Sequence, residues 1–568
     1  MALAGYALRE SPDPVEVLEA IRSSAGKLDI FCQAGGIRAD RWPSDLVSLL
    51  EKSIHQVPRP KPGCLFHPKM WILRYSNAAN NGELRYRCLI LSRNLTQDRS
   101  WDLILRLDSD FDSGSMGINP GNQNLNRFVA SLPLLAGFDQ SHARLNAINE
   151  IADELRKVWW EMPEDVQDIQ FWPFGLPGMR KPKTEELFTG YRHLIVSPFI
   201  SPAGLRIALG DSKGTSLSVV SRAEELDRIA VDEIPEGTYF HINPLASLGG
   251  DDEHQEMSVE TEQMLGDLHG KLYVVETNRR ARVFIGSANA TERAFNGNVE
   301  ILCEISGGAT RLGVESMLGE DSSFREILER YSFPESPLTD AQKELSHGVE
   351  SYLFDLAGLK LQALASREEQ EWSVLVTSDV ALPKPNGFEA ELYICQLNKQ
   401  ADKRQMSFEQ VVRVNFESIK AADITPFMVL VCVGRRDSQV VEKQTVVCAT
   451  LIGEPEQRLD EILVRQIDTP EKFLRLIDLL LGLGGSFPLA SLADNQSAGG
   501  AWVSTGLSSG LLEMIVRSLA ERPDALDHLE SLVNRLSSTE LGRSVLPPGW
   551  NELWGSVVGA RKLMGREG

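Results

Sequence analysis

The chain is poor in everything that would staple, export or anchor it. Its seven cysteines (Cys32, Cys64, Cys88, Cys303, Cys395, Cys432 and Cys448) are odd in number and widely spaced, with no Cys-x-x-Cys pair; five lie in apolar runs such as ILCEI and LVCVG. That excludes a disulfide framework and a cysteine zinc site, and it fits buried thiols in a reducing compartment. At the N-terminus, MALAGYALRESPDPVEVLEA has no basic lead into a continuous apolar run, since Arg9 and Glu10 interrupt it, so no signal peptide is expected. The most apolar stretch, around Phe473 to Leu483, carries Arg475 and Asp478 and falls short of the roughly 20 residues a bilayer span needs. No Gly-x-x-x-x-Gly-Lys-Ser/Thr phosphate loop occurs, so any ATP use is expected of a partner. A basic excess is missing too: 58 Lys and Arg face 80 Asp and Glu, a formal charge of −22. A general nucleic-acid coat is thereby excluded, and any nucleic-acid site must be a local basic pocket. At 568 residues, 42% hydrophobic and 24% charged, the chain reads as soluble, globular and divided into several domains.

What the chain does have is an internal duplication. The first copy runs LFHPKMWILRY, RCLILSRNLT, SWDLILRLD; the second runs DLHGKLYVVE, ARVFIGSANAT, NVEILCEI. Each reads as His-x-Lys opening an apolar strand, a second strand ending in Ser-x-Asn, and a third strand with one acid near its start. His67 lies 27 residues before Asn94, and His269 lies 20 before Asn289; the longer hairpin loop YSNAANNGELRY accounts for the difference. Around these cores, KLDIFCQAGG and RHLIVSPFIS read as strands, and VEVLEAIRSS, LNAINEIADELRKVWW and SSFREILERYS as helices. Strands alternating with helices predict an α/β fold of two similar lobes, roughly 1–165 and 166–335.

After the boundary-like YSFPESPLTD the pattern changes. EWSVLVTSDVAL, GFEAELYICQLN, MSFEQVVRVNFE, PFMVLVCVG and KQTVVCATLIG predict a small β-rich domain, a sandwich being the form considered, over about 345–455. Beyond it, 456–568 reads as a helical region containing TPEKFLRLIDLLLGL, a Gly/Ser/Ala-rich loop GGSFPLASLADNQSAGGAWVSTGLSSG, and a tail broken by Pro-Pro-Gly. Trp550 and Trp554 share one helical face, which suits either docking or closure of this region's own core; closure is the expectation.

The duplicated residues carry a chemistry. On an extended segment, His and Lys two apart face the same side. If the two copies pack about a pseudo-two-fold axis, two histidines, two lysines and two asparagines converge, a composition suited to attack on a phosphodiester. One neutral imidazole attacks phosphorus, the opposite imidazolium protonates the leaving oxygen, and the roles reverse when water cleaves the phosphoenzyme. Lysines and amides would hold the nonbridging oxygens, so the charge stabilisation needs no metal. A histidine nucleophile also needs a carboxylate on its other nitrogen, for which Asp102 and Glu300 are the candidates.

HPKMWIL with SRNLT, and HGKLYVVE with GSANAT, resemble the two His-Lys motifs of the phospholipase D superfamily, over about residues 1–335. The resemblance implies two phospholipase D-like α/β lobes and a metal-independent, cofactor-free phosphohistidine mechanism. It makes His67 and His269 the nucleophile and acid–base pair, with His67 taken as nucleophile because the first motif often supplies it. Lys69 and Lys271 become phosphate ligands, Asn94 and Asn289 complete the pocket, Ser92 and Ser287 support it, and Asp102 and Glu300 orient the histidines. The family's Asp five residues after the Lys is Arg74 in the first copy and Glu276 in the second, and Leu91 replaces the glycine before Ser92. The first motif is thus more similar to the His-Lys-Asn variant of tyrosyl-DNA phosphodiesterases.

Residues 51–110 carry ten basic side chains against six acidic ones, and Arg279, Arg280 and Arg282 form a second basic turn. With Arg74 and Arg93 these are the candidate nucleic-acid contacts. The expectation is a cytoplasmic nuclease acting on DNA or RNA, without a membrane partner; the family's habits suggest an anti-phage or restriction system with a helicase or other ATPase. Its rivals are an end-processing or lipid phosphodiesterase and an inactive nucleic-acid-binding scaffold. His241, Asp251, Asp252 and His254 lack ligand spacing and read as a loop at the pocket rim, not a metal site. His55, His142, His193, His347 and His528 have no partner pattern and read as surface or capping residues.

Overall fold

The computed structural model of the chain describes residues 26–37, 50–76, 84–94, 100–109, 117–136, 142–243, 267–334, 341–368, most of 371–482 and parts of 515–563. Asp251, Asp252, His254, His528, the helix expected at VEVLEAIRSS and the Gly/Ser/Ala-rich loop lie outside the described residues. The fold is mixed α/β with several sheets, and among the described residues no helix is long and apolar enough to cross a membrane.

In the first part of the chain, β1 (Ile30–Gln33) and β2 (Ile54–Val57) pair in parallel, while β3 (Met70–Ser76), β4 (Leu84–Leu91) and β6 (Ile104–Asp108) form an antiparallel meander, with β5 (Ser100–Trp101) between its last two strands in sequence. The second part is one eight-stranded sheet. It contains β7 (Val166–Phe174), the parallel strands β8 (Arg192–Val196), β9 (Ser216–Val220) and β10 (Thr238–Ile242), the meander β12 (Leu272–Thr277), β13 (Arg280–Gly286) and β14 (Glu300–Gly308), and β15 (Leu328–Arg330) at one edge, in the order β15-β10-β9-β8-β12-β13-β14-β7. The two-residue β11 (Asp267–Leu268) pairs with β5.

The two meanders repeat not only their strand order but their register. Met70 pairs with Ile90 as Leu272 pairs with Ile285, and Leu91 pairs with Ile104 as Gly286 pairs with Leu302. The hairpin between β12 and β13 closes through Asn278 and Arg279 at φ 47° and 68°, two left-handed residues whose twist suits a two-residue connection. Gly286 is fixed by sterics: a Cβ there would lie 2.2 Å from Ile301 O.

Residues from both parts share one core, in which Cys88, Leu107, Val274, Val283 and Ile301 pack with Phe128 and Ile148 from helices Gln123–Leu135 and His142–Leu155. β14 is buried along almost its whole length, which explains its unbroken apolar reading. SSFREILERYS departs from the expected helix: only Ser323–Glu326 is helical, and Leu328–Arg330 extends because β10 offers it an antiparallel edge, a tertiary pairing that outweighs local spacing.

Helix Ala341–Leu356, which the strand-dominated reading of this region missed, precedes two four-stranded sheets. One is β20-β17-β16-β23 and the other β19-β18-β21-β22, built from β16 (Leu361–Glu368), β17 (Glu371–Ala381), β18 (Glu389–Gln396), β19 (Arg404–Met406), β20 (Val411–Ile419), β21 (Phe427–Arg436), β22 (Gln439–Cys448) and β23 (Thr450–Ile452). The helix and both sheets enclose a core with Leu345, Val349, Val374, Leu392 and Met428. The other face of the second sheet packs on helix Pro470–Gly482 and the C-terminal helices. There Trp550 is 1% exposed, stacks on Trp554 at 5.8 Å and meets Phe473 edge-on at 5.0 Å, inside a core shared with the second sheet and not one of this region alone.

β1 and β2 are held by this region as well. Val446 N donates to Ile37 O, Thr445 Oγ1 to Gly35 O at 2.5 Å, Cys448 N to Gln56 Oε1 at 3.0 Å, and buried Arg458 pairs with Glu51 at 2.6 Å. All seven cysteines are free thiols; burial raises those of Cys88 and Cys448 to about 12.

Candidate active site

Each His-x-Lys segment immediately precedes its strand rather than lying within it, and each pairs with the opposite part of the duplication. His67 N donates to Val299 O at 2.8 Å, beside a Phe66–Val299 bridge; His269 N and Gly270 N donate to Trp101 O at 2.7 and 2.9 Å. The two serines do equivalent work. Ser92 Oγ accepts from Leu103 N at 2.7 Å and Ser287 Oγ from Ile301 N at 3.0 Å, so each pins the residue that follows the candidate acid, Asp102 or Glu300.

His67 Nδ1 lies 3.0 Å from both carboxylate oxygens of Glu300, which is wholly buried, while the His67 side chain keeps 26% exposure. A carboxylate only accepts, so Nδ1 carries the hydrogen and Nε2 is left with its lone pair. Asn298 Nδ2 donates to Glu300 Oε1 at 2.9 Å, locking the carboxylate from behind. Lys69 Nζ donates to His67 O at 3.1 Å, and Lys271 Nζ donates to His269 O and, across the duplication, to Ser92 O, both at 3.0 Å.

Electrostatics record the convergence. Burial, with the charges of Lys69 and Lys271, holds the His67 imidazole below its ordinary value despite Glu300. Burial pushes Lys69 down to about 8, and burial with the charge of Lys69 holds Lys271 well below the lysine range, against the pull of Glu300 and Asp102. These are amines whose charged form is disfavoured by burial and by one another, a strain an arriving anion would relieve.

The two acids are not equivalent. Asp102 is exposed, and its carboxylate lies 3.8 Å from Arg93, whose Nη1 donates to Ser100 Oγ at 2.6 Å. Asn94 is exposed. Asn289 Oδ1 is buried with no partner among the described residues, an amide left for something to fill.

Four of the sequence-selected side chains are engaged elsewhere. Arg74 forks onto Glu154 at 2.7 and 2.8 Å and reaches Glu150 at 3.4 Å. Arg282 forks onto Glu304 at 2.6 and 2.8 Å, and Arg280 donates to Gln167 Oε1 at 2.9 Å. Glu276 takes Val314 N at 2.6 Å and the Tyr191 hydroxyl at 3.1 Å. At about 3.3 Å per residue, the strands carry Arg74 and Glu276 some ~16 Å beyond the lysines, and Arg279 at the hairpin tip some ~26 Å. The basic turn therefore lies away from the lysines. Two histidines read as surface or capping residues are buried: His55 bonds Asp29 at 2.9 Å, and His193 bonds Thr215 Oγ1 at 2.7 Å and, in a capping role, Phe188 O at 2.8 Å at the end of helix Thr184–Leu187. His241 stacks edge-on with Tyr331, and no group of three or more metal-ligating side chains occurs among the described residues.

Sequence reasoning missed Arg222, Asn298 and Gln33. Arg222 Nε donates to Leu268 O at 2.9 Å, its guanidinium lies 4.8 Å from the centre of exposed Phe199, and its charge depresses Lys271. Both Arg222 and Gln33 stand at the carboxyl ends of parallel strands, where α/β sheets bind ligands, and that position was the available signal. Compared with protein-family models and with curated proteins, the chain matches none of either.

Proposed function

We propose that the chain is a phosphodiesterase of the phospholipase D type, with its two α/β lobes related by a pseudo-two-fold axis, and that it cleaves DNA or RNA through a phosphohistidine. The observation that carries this reading is the set gathered around His67: a half-buried imidazole with Nδ1 on buried Glu300, Nε2 open, and two buried lysines whose charges act on it. His67 is the nucleophile and is neutral at pH 7, so its Nε2 forms the bond to phosphorus as the bond from phosphorus to the leaving oxygen breaks. His269 gives that oxygen its proton. His269 then takes a proton from water, the hydroxide attacks phosphorus, and the P–N bond breaks to return His67. Lys69, Lys271 and the amides of Asn94 and Asn289 hold the nonbridging oxygens, and Arg222 and Arg93 stand where the flanking phosphates pass. A polynucleotide is favoured over a lipid because arginines border the lysines and the described residues include no membrane-spanning helix. In a cell it would work in the cytoplasm beside a helicase or other ATPase, in defence against invading nucleic acid.

The test is cleavage of labelled single-stranded DNA, duplex DNA and RNA in excess EDTA, with wild type beside His67→Ala and His269→Ala. Cutting that resists EDTA and is lost in both variants is the expected result. Cutting indifferent to both substitutions overturns the proposal.

A further inference from the structure

Three consecutive N–H groups lead into His67, and two separate segments take them, the end of β1 and the turn before β14. Leu65 N donates to Asn298 Oδ1 at 2.9 Å, Phe66 N to Gln33 Oε1 at 2.6 Å, and His67 N to Val299 O at 2.8 Å. Two of the three acceptors are side-chain amides, each 9% exposed and each with its other end committed. Asn298 Nδ2 grips Glu300, the carboxylate that holds the same imidazole. Gln33 Nε2 donates to Ala34 O at 3.0 Å and Val57 O at 3.3 Å, tying together the carboxyl ends of β1 and β2.

The position of β1 gives Gln33 a second meaning. In the second part of the chain the parallel strands join the meander directly, since β8 pairs with β12 from Arg192 to Val196. Among the described residues no ladder joins β1 to β3; Arg144 pairs with Asp29 and Val57 enters the core of the duplicated part, while the two C-terminal sheets and helices hold the pair from the other side. Ile37 bridges to Val446, Gly35 O takes the Thr445 hydroxyl, and Ala34 lies in the sandwich core. Gly35 fits so closely that a Cβ there would lie 2.7 Å from Ala357 Cβ. Leu50 and Ile54 enter the core shared with Phe473 and Trp550.

We infer that Gln33 and Asn298 are positioning residues for His67, and that Gln33 makes the placement of this imidazole depend on the sandwich and C-terminal helices. The inference rests on the phosphohistidine reading above. An imidazole displaced by about 1 Å from its line of attack loses on the order of 100-fold in rate, so two buried amides that fix its peptide act on turnover without touching substrate.

The experiment uses the full-length chain, EDTA, and whichever labelled oligonucleotide the wild type cuts. It measures kcat, KM, the pH profile and the melting temperature of Gln33→Leu, Gln33→Glu, Asn298→Leu and Asn298→Asp, with His67→Ala as reference. The leucine variants are expected to lower kcat by about 10- to 100-fold while KM stays within about twofold. Gln33→Glu still accepts from Phe66 N and is expected to recover most of the rate lost in Gln33→Leu. Asn298→Asp sets a second carboxylate beside Glu300, which favours the imidazolium, so the acid limb of the profile moves to higher pH. Should a leucine variant fail to fold, the aspartate and glutamate variants carry the test. Folded variants with wild-type kcat and an unmoved acid limb, beside an inactive His67→Ala, overturn this inference and leave the phosphohistidine reading standing. An active His67→Ala overturns that reading itself.

Discussion

Glu300 holds His67 from the opposite part of the duplication, its two oxygens each 3.0 Å from Nδ1, and it does so from a wholly buried position with Asn298 behind it. The corresponding acid of the first copy, Asp102, is exposed and lies beside Arg93. The duplication thus yields one tightly held imidazole and one more openly placed acid, an asymmetry in keeping with the proposed attack by His67.

Glu300→Gln is expected to lower kcat by about 100-fold or more, because an amide no longer favours the Nδ1–H tautomer or the charge that forms on the ring. Asp102→Asn is expected to cost about tenfold or less, since the exposed carboxylate is screened and already shared with Arg93. Steady-state kinetics of the two variants on one substrate check the order; equal losses would deny the asymmetry.

The pH dependence of kcat/KM has a definite sign. On the proposed mechanism His67 attacks only when neutral, and burial with two nearby lysines holds it below the ordinary 6.5, so activity should persist to below pH 6.5 before falling. Lys69 must be charged to bind phosphate, and its value of about 8 places the basic limb near that pH. Lys69→Arg keeps its charge throughout and should push the basic limb upward.

Stability should follow the opposite logic. Because the folded state holds His67 below its unfolded value, acidification protonates the unfolded chain first, and stability falls as pH drops through about 6.5. Lys69 is charged in both states at pH 7, so its burial penalises the fold there, and the penalty is relieved as pH rises from about 8 toward 10.5. Lys69→Met should therefore stabilise the fold by about 1–3 kcal/mol at pH 7 while abolishing cleavage. Denaturant melts of wild type and variant at pH 7 and pH 9 decide this; a destabilised Lys69→Met would refute it.

Trp550→Ala should cost about 3–5 kcal/mol through the cavity left against Phe473 and Trp554. Trp550→Phe should cost less, because it also removes an indole N–H that is buried without a partner among the described residues. Thermal melts of the pair give the comparison.

How much could be read in advance depended on the range of the interaction. The His-x-Lys and Ser-x-Asn segments stood out because the same residue types recur in the same order, and Trp550 with Trp554 because helical spacing is local. That His67 takes its carboxylate from the second copy was hidden, as it rests on pairing between residues more than 200 apart. Counting arginines said nothing of their partners: Arg74 and Arg282 answer Glu154 and Glu304, acids on other elements, and the hairpin arms carry Arg279 and Arg280 away from the lysines. Leu328–Arg330 was misread for the same reason, since its edge-strand partner is supplied by the rest of the fold.

The exchange of backbone partners, Val299 for His67 and Trp101 for His269, means that each copy completes the other. A half produced alone would keep a His-x-Lys sequence but lose the strand that shapes it. A chain severed between the halves would act only while the pieces stayed associated.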